Sequence, residues 1–277
     1  MTLDSAWSAC DRGSVSPLER AQLLASMDAN MVAVYSADTR ATPGGAVVET
    51  PGLVMCRTPR GTVATNMAIV TGPIDAPTVR ERTVAFYGPT GSPFSVWTRE
   101  HADAGLELEL GALGFHPIHR EPGMTFLPGA ERPAPPPREI DIRPVTSDAG
   151  RADYGAIMVR AFGLYGTPEA STAEHFATLA SVVGPATQAY LAYKDGRAVA
   201  GAILYMAHGV GGIGWVGTLP EEFGHGYGRA VTWAVIAEGI RRGARFMNLQ
   251  ASPMGESMYR RMGFTTPTHY RWFLATT

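Results

Sequence analysis

The sequence predicts an α/β fold in which a mixed, mostly antiparallel β-sheet carries helices on its faces, and it predicts two copies of this arrangement. Three observations support it. Short β-like runs alternate with helical segments; a strand, a turn with three glycines and a helix follow one another at residues 216–229; and a shift of 149 residues aligns the two halves. With 277 residues, 45% of them hydrophobic, the chain is long enough for two domains of ordinary size.

The first half begins with apolar residues at helical spacing after Pro17, which is a favourable first residue of a helix. Its predicted elements are a helix at 17–34, strands at 46–49, 52–57 and 66–71, a helix at 77–87, a strand at 94–98 and a helix at 104–113 that closes on Gly114 and Phe115.

The second half shows the same alternation and contains a hairpin signal, because Asp195 and Gly196 supply the positive φ angles of a tight turn. Its predicted elements are a strand at 139–144, a helix capped by Ser147 or Asp148 and reaching Gly163, a helix at 171–183, strands at 188–193, 198–206 and 213–218, a helix at 229–242 and a strand at 245–250.

A proline-rich segment separates the halves. Four prolines in the five positions 133–137 favour an extended spacer and cannot enter a sheet interior. We therefore predict an N-terminal domain at 1–127, a linker at 128–138 and a C-terminal domain at 139–277.

Composition excludes several classes of function. The formal net charge of −2 gives no electrostatic case for a nucleic-acid partner, and Cys10 and Cys56 lack metal-ligand spacing, which favours thiols in a reducing compartment. Residues 1–14 lack a basic region followed by an apolar core, so we expect no signal peptide. The uncharged run at 198–217 contains six glycines and predicts two buried strands rather than a membrane helix.

The glycine turn at Gly224, Gly226 and Gly228 predicts an anion site. Glycines let backbone N–H groups crowd around a phosphate, and the helix that follows presents unpaired donors and its positive dipole end to the same point. A P-loop would require Lys and Ser or Thr after Gly228, where Arg229 and Ala230 stand, and a dinucleotide fold would require an acidic residue near 243–248, which has none. The pattern predicts a bound diphosphate of another kind.

The segment 251–264 adds a second motif. It contains Ser252 and then Tyr259-Arg260-Arg261-Met262-Gly263-Phe264, one helix and one strand after the glycine turn. With Gly224-His225-Gly226-Tyr227-Gly228, this order resembles the GNAT superfamily of N-acetyltransferases over roughly residues 139–277. The resemblance implies acetyl-CoA as the coenzyme.

The resemblance also implies roles for individual residues. The backbone of 216–218 would pair with the pantetheine arm, the loop 224–229 would bind the pyrophosphate with charge added by Arg229, and Tyr259 would protonate the departing thiolate as general acid. Ser252 would hydrogen-bond the coenzyme arm. The residues assigned to coenzyme binding are Val216, Gly217, Thr218, Gly224, His225, Gly226, Tyr227, Gly228, Arg229 and Ser252. Two structural alternatives stay open: Tyr259 as a core aromatic and Ser252 as a helix N-cap.

Two features depart from the family pattern. Phe223 stands where the family usually has Arg or Gln, and the strand 213–218 carries no carboxylate to act as general base. Glu222 and His208 are alternative candidates for the base, and a water chain is another. Four aromatic residues are candidates for lining an acceptor pocket, with core packing as the alternative: Trp215, Tyr205, Phe162 and Tyr165.

The first half has lost the chemical positions, since Leu110 aligns with Tyr259 and Asp103 with Ser252, and 83–92 has no three-glycine turn. We therefore expect a degenerate N-terminal half and a cytoplasmic, acetyl-CoA-dependent N-acetyltransferase that acts, through its C-terminal half, on a primary amine of a small molecule or peptide. An acetyl-CoA-binding sensor or scaffold with little turnover, and transfer of a longer acyl chain, are the alternatives. Self-association as a homodimer stays open.

Overall fold

The eleven strands of the described chain form one continuous sheet, in the order β1-β2-β3-β4-β11-β5-β10-β9-β8-β7-β6. The structure is a computed structural model that describes residues 17–129 and 136–275. The strands are β1 (Ala46–Thr50), β2 (Leu53–Arg57), β3 (Met67–Val70), β4 (Ser95–Arg99), β5 (Phe115–Phe126), β6 (Ile140–Pro144), β7 (Thr187–Lys194), β8 (Arg197–Ala207), β9 (Val210–Thr218), β10 (Met247–Gln250) and β11 (Thr265–Ala275).

Helices cover the sheet, as the sequence predicts for a mixed α/β fold. They are α1 (Pro17–Ala41), α2 (Ala76–Tyr87), α3 (Ala104–Ala112), α4 (Asp148–Gly163), α5 (Glu169–His175), α6 (Tyr227–Arg241) and α7 (Glu256–Arg261). Only two neighbouring pairs, β3 with β4 and β9 with β10, run parallel; the other pairs of the described sheet are antiparallel. The fold class predicted from the sequence is confirmed.

The two halves of the chain exchange their last strands. β5 ends the first half but lies between β11 and β10, and β11 ends the second half but lies between β4 and β5. β5 and β11 pair with each other from Thr265 opposite Thr125 to Ala275 opposite Phe115. The segments β3-α2-β4-α3-β5 and β9-α6-β10-α7-β11 therefore follow the same order, in agreement with the 149-residue repeat.

Helix α1 lies across the seam between the halves and packs on β1 and β2 as well as on β8, β9 and β10. Met27 and Met31 on it are buried. Asn30 Nδ2 donates to the carbonyl oxygen of Val210 at 3.1 Å, and Asn248 Nδ2 donates to that of Met27 at 3.2 Å. These bonds join the first half to β9 and β10.

Two predictions about elements need correction, and two strands were not predicted. The helix predicted at 171–183 ends at His175. The residues after it bury Phe176 and Val182 in two separate short segments instead of along one helix. Helix α1 continues to Ala41 instead of ending at 34. The sequence did not indicate β5 or β11; in β5 the prolines Pro117 and Pro122 obscure the strand pattern.

Several other expectations are confirmed. Ser147 caps α4 by accepting a hydrogen bond from Gly150 N, and Asp195 and Gly196 form the β7–β8 turn with φ values of 50° and 80°. The run at 198–217 forms strands β8 and β9.

No helix within 17–129 or 136–275 is long and apolar enough to cross a membrane. Cys56 is a buried free thiol, whereas Cys10, residues 1–14 and the linker prolines at 133 and 135 lie outside the described residues.

Candidate functional site

A cleft opens where the parallel strands β9 and β10 diverge. They pair only at Met247 with Gly211 and at Asn248 with Gly212. Beyond that point, 213–218 on β9 pairs on one edge only, with β8. The same register, extended, would bring Ser252 level with Val216. The structure therefore places the predicted residues 216–218 and Ser252 on opposite sides of one cleft.

A bulge in β9 shapes the wall of this cleft. The β8–β9 register shifts between Gly201 and Ile203, and Trp215, opposite the shift, has a positive φ of 46°. A positive φ is unusual for a bulky residue and requires support from its surroundings. Tyr154 supplies part of it, because its hydroxyl donates to the carbonyl oxygen of Trp215 at 2.5 Å.

The glycine turn lies at the end of the cleft and begins α6. Gly224 and Gly226 have φ values of 84° and 81°, and Gly226 is the N-cap residue; no side chain of the described residues caps this helix. A Cβ on Gly228 would lie 2.9 Å from Thr218 Oγ1, so glycine is needed for α6 to approach β9. The first N–H groups of α6 are thus left available for an anion beside the cleft.

The side chains of the turn point to different places. Tyr227 is buried and its hydroxyl donates to Glu139 Oε1 at 3.1 Å, so only its backbone can serve the turn. His225 is exposed and stacks on the Tyr227 ring at a centroid distance of 5.4 Å. Arg229 is exposed and its Nη2 lies 3.5 Å from the Cβ position of Gly226. Arg229 therefore places a positive charge next to the glycine turn.

Tyr259 lies on α7 and is only 6% exposed. Its ring packs against Phe264 at 5.5 Å, and no residue in the described part of the chain hydrogen-bonds its hydroxyl. Burial, with a smaller effect of Tyr165, raises the pKa of this phenol. Ser252 Oγ lies 3.0 Å from Tyr165 Oη and accepts from Gly255 N at 3.2 Å, so Ser252 caps a turn that precedes α7.

Comparisons with known proteins agree with this geometry. The family model of the acetyltransferase (GNAT) family matches residues 157–264, which contain the cleft, the glycine turn and Tyr259. Residues 157–264 are a GNAT-family domain. No curated protein is significantly similar in sequence to the chain.

Solved structures share the fold of nearly the whole chain. A GCN5-related N-acetyltransferase from Kribbella flavida matches with a TM-score of 0.68 at 22% identity, over 89% of this chain and 95% of that one. A tandem GNAT protein from the clavulanic acid biosynthesis pathway matches with a TM-score of 0.56 at 14% identity, over 90% and 94%. A GCN5-related N-acetyltransferase from Sphaerobacter thermophilus gives 0.56 at 16%, over 80% and 79%. Nearly the whole chain therefore shares its fold with these proteins.

The two candidates for a general base have different surroundings. Glu222 Oε2 accepts from Lys194 Nζ at 3.1 Å, at the β7–β8 turn. His208 lies in the β8–β9 turn, eight residues before Val216, which at about 3.3 Å per residue is roughly 26 Å. His208 is therefore remote from Val216, whereas Glu222 lies beside the glycine turn with its carboxylate paired to Lys194.

The aromatic residues predicted for an acceptor pocket divide into two groups. Trp215 and Phe162 pack together at 4.6 Å, and the exposed Tyr165 lies 5.9 Å from Phe162, at the cleft. Tyr205 is buried and its hydroxyl donates to Asp38 at 2.5 Å, so it belongs to the core. His175 and Phe176 also contact Trp215. Among the described residues, no group of His, Cys, Asp or Glu could hold a metal ion.

In the first half, a side chain bridges the equivalent divergence of strands. Arg99, at the end of β4, donates to the carbonyl oxygen of Thr71 at 3.3 Å, across the divergence of β3 and β4. At the start of α2, Asp75 accepts from Thr78 N at 2.7 Å and Glu109 accepts from Ala76 N at 3.1 Å. The segment equivalent to the glycine turn thus lies before α2, not at 83–92, and carboxylates occupy its donors.

Sequence reasoning missed the residues that the first half brings to the GNAT domain. Asp38 reaches Trp215 from α1, and Tyr35 reaches Gln250, with Tyr35 Oη and Gln250 Oε1 3.4 Å apart. Glu121 lies on β5, next to the end of β10. Asp38 follows the end of the helix predicted at 17–34, and Glu121 lies in a strand that was not predicted. The sequence around these two residues therefore gave no indication that they lie near the site.

Proposed function

We propose that the chain is an acetyl-CoA-dependent N-acetyltransferase that acetylates a primary amine of a small molecule or peptide, with its chemistry in the C-terminal domain, residues 139–277. The observation that carries this proposal is the juxtaposition of three features: an uncapped helix start at a glycine turn, a cleft between diverging strands, and a buried phenol whose hydroxyl has no partner among the described residues.

The glycine turn and the start of α6 form a cradle that fits the diphosphate of coenzyme A. The turn at 224–229 would hold it through backbone N–H groups, with Arg229 adding charge, and 216–218 would pair with the pantetheine arm as an added strand. Ser252, on the opposite wall, would hydrogen-bond that arm. Bound there, acetyl-CoA supplies an activated acetyl group as a thioester.

Tyr259 is the proposed proton donor to the sulfur. Its raised pKa keeps the phenol protonated at neutral pH, and a protonated phenol can donate a hydrogen bond and then a proton to a thiolate. The exposed Phe223 beside the turn adds no polar contact, which is the feature that favours a sensor with little turnover as the alternative.

The division into a degenerate N-terminal domain, a linker and a catalytic domain is part of the proposal. The first half would form a wall of the acceptor side through α1 and β5. The buried free thiol of Cys56 accords with a reducing compartment, and we expect the protein in the cytoplasm.

The test compares the wild type with Tyr259→Phe and with the control Tyr190→Phe, which changes a partly buried tyrosine on β7. Calorimetry should give the same acetyl-CoA Kd for all three. Thiol release with a panel of primary amines should fall by about 10²-fold or more in Tyr259→Phe only. Tight binding without thiol release in the wild type would establish the sensor, and competition with longer acyl-CoAs tests the acyl preference.

A further inference from the structure

The first half contributes a buried carboxylate at the end of β10. β5 pairs with β10 up to Gln250 opposite Gly123, and Ala251 N then donates to the carbonyl oxygen of Pro122 at 3.0 Å. The next residue of β5 is Glu121, level with Ser252. Alternate residues of a strand share a face, and the Cβ position of Gly123 lies 3.3 Å from Met27 on α1. Glu121 therefore faces α1 at the depth where the cleft opens.

Within the described residues, Glu121 has one basic neighbour. Its side chain is 13% exposed, and His119 Nε2 lies 3.3 Å from Glu121 Oε1 on the same strand. Burial raises the pKa of Glu121, partly offset by His119, and Glu121 raises the pKa of His119. From α1, Tyr35 faces the same space, and Glu121 is the second cause, after burial, of its raised pKa.

Aromatic rings from four elements pack on one another on the face of the sheet that carries Glu121. Trp97 stacks on Trp272 at 4.4 Å, Tyr35 meets the edge of Trp97 at 5.0 Å, and His119 meets Trp272 at 4.9 Å. A carboxylate beside aromatic faces is an environment that favours a cation.

Two buried donors near these rings have no partner within the described residues: Gln250 Nε2 and Trp272 Nε1. Buried donors are nearly always satisfied in folded proteins, so unpaired ones indicate a missing acceptor. A ligand with an oxygen acceptor near its ammonium group would satisfy them.

We propose that Glu121 binds the ammonium group of the acceptor and takes its proton, so that the first half supplies the general base. This rests on the proposed function. Glu121 takes one proton from the ammonium, and the freed nitrogen lone pair bonds to the acetyl carbon as the carbon–sulfur bond breaks. Tyr259 gives its proton to the sulfur, and the second nitrogen proton restores the phenol. The proton on Glu121 leaves to solvent.

Other carboxylates near the cleft are already engaged. Asp38 is buried and accepts hydrogen bonds from Tyr205 and Trp215, and Glu222 is paired with Lys194. His119 is the basic side chain that contacts Glu121, and it serves as a positioning residue that lowers the carboxylate pKa.

The first test uses binding, because this readout does not require turnover. Primary ammonium compounds, with and without a neighbouring carbonyl or hydroxyl oxygen, are titrated into the protein without coenzyme, and the fluorescence of the tryptophans is followed. We expect at least one compound to bind the wild type, and to bind Glu121→Gln at least tenfold more weakly. Glu100→Gln, at a half-buried carboxylate just after β4, is the matched control and should bind as the wild type does.

The second test uses the pH dependence of kcat/KM. Glu121→Gln should lower kcat/KM by about 10²-fold or more and remove its acidic limb, while the Kd of acetyl-CoA stays unchanged. Glu121→Asp should restore part of the activity. His119→Asn should shift the acidic limb to higher pH, because it removes the group that lowers the pKa of Glu121.

The outcomes separate the two proposals. Absence of acetyl-CoA binding by the wild type would refute the proposed function. Acetyl-CoA binding combined with an unaltered amine affinity and pH profile in Glu121→Gln, or with no ammonium compound bound at all, would refute the role of Glu121.

Discussion

Asp38 on helix α1 accepts a hydrogen bond from Trp215 Nε1 at 2.8 Å, so a carboxylate of the first half supports the bulge in the cleft wall of the GNAT domain. The same carboxylate accepts from Tyr205 Oη at 2.5 Å, and His175 Nε2 lies 3.2 Å from it. Asp38 is only 4% exposed. The conformation of Trp215 therefore depends on the docking of α1.

Asp38→Ala should destabilise the protein strongly. It leaves the buried donor of Tyr205 and the partly buried donor of Trp215 without this acceptor, and we expect the free energy of unfolding to fall by about 3–5 kcal/mol. Urea denaturation measures this change. The matched control is Asp153→Ala, since Asp153 is exposed and accepts from Tyr193 Oη at 3.2 Å; its effect should be within about 0.5 kcal/mol. Equal effects of the two variants would contradict the role of Asp38.

Gly228→Ala should weaken coenzyme binding. The new Cβ would lie 2.9 Å from Thr218 Oγ1, so the start of α6 must move away from β9, and the N–H groups that we propose for the diphosphate move with it. We expect the Kd of acetyl-CoA, measured by calorimetry, to rise at least tenfold.

The matched control for that variant is Gly105→Ala. Gly105 is also the second residue of a helix, α3, and its Cβ position has no neighbour within 4 Å. This change should leave the Kd unaltered and slightly raise the melting temperature, because alanine favours a helix more than glycine does. An unchanged Kd in Gly228→Ala would show that the cradle is not where the coenzyme binds.

The sequence predicted the elements whose patterns are local. The glycine turn before α6, the Ser147 cap and the Asp195-Gly196 turn each depend on a few neighbouring residues, and each was found where expected. The exchange of β5 and β11 depends on pairings across 140 or more residues, such as Thr125 with Thr265, and no local pattern reports it. The proposed acceptor side could not be predicted for the same reason, since the first half contributes Asp38 and Glu121 from α1 and β5.

Asp75→Ala should lower stability without changing coenzyme binding. Asp75 caps α2, and its hydrogen bond from Thr78 N lowers the pKa of the carboxyl group. A lowered pKa in the folded state contributes stability above the unfolded pKa, about 3.9, and this contribution is lost as the pH falls through the folded pKa. The melting temperature of the variant should therefore be lower than that of the wild type at pH 7, and the difference should shrink on acidification. Any change in the Kd of acetyl-CoA would mean that the first half takes part in binding the coenzyme.

Glu121→Gln should raise stability at neutral pH. Burial raises the folded pKa of Glu121, so its contribution to stability is fully present below the unfolded pKa, about 4.3, and is lost as the pH rises through the folded value. Glutamine carries no charge and avoids this loss. The melting temperature of the variant relative to the wild type should increase from pH 4 to pH 8 in thermal denaturation.

Glu100→Gln should show the opposite trend, because the hydrogen bond from Arg120 lowers the pKa of Glu100. Parallel pH profiles for the two variants would contradict the burial of Glu121 as an ionisable group, and with it the environment proposed for the acceptor amine.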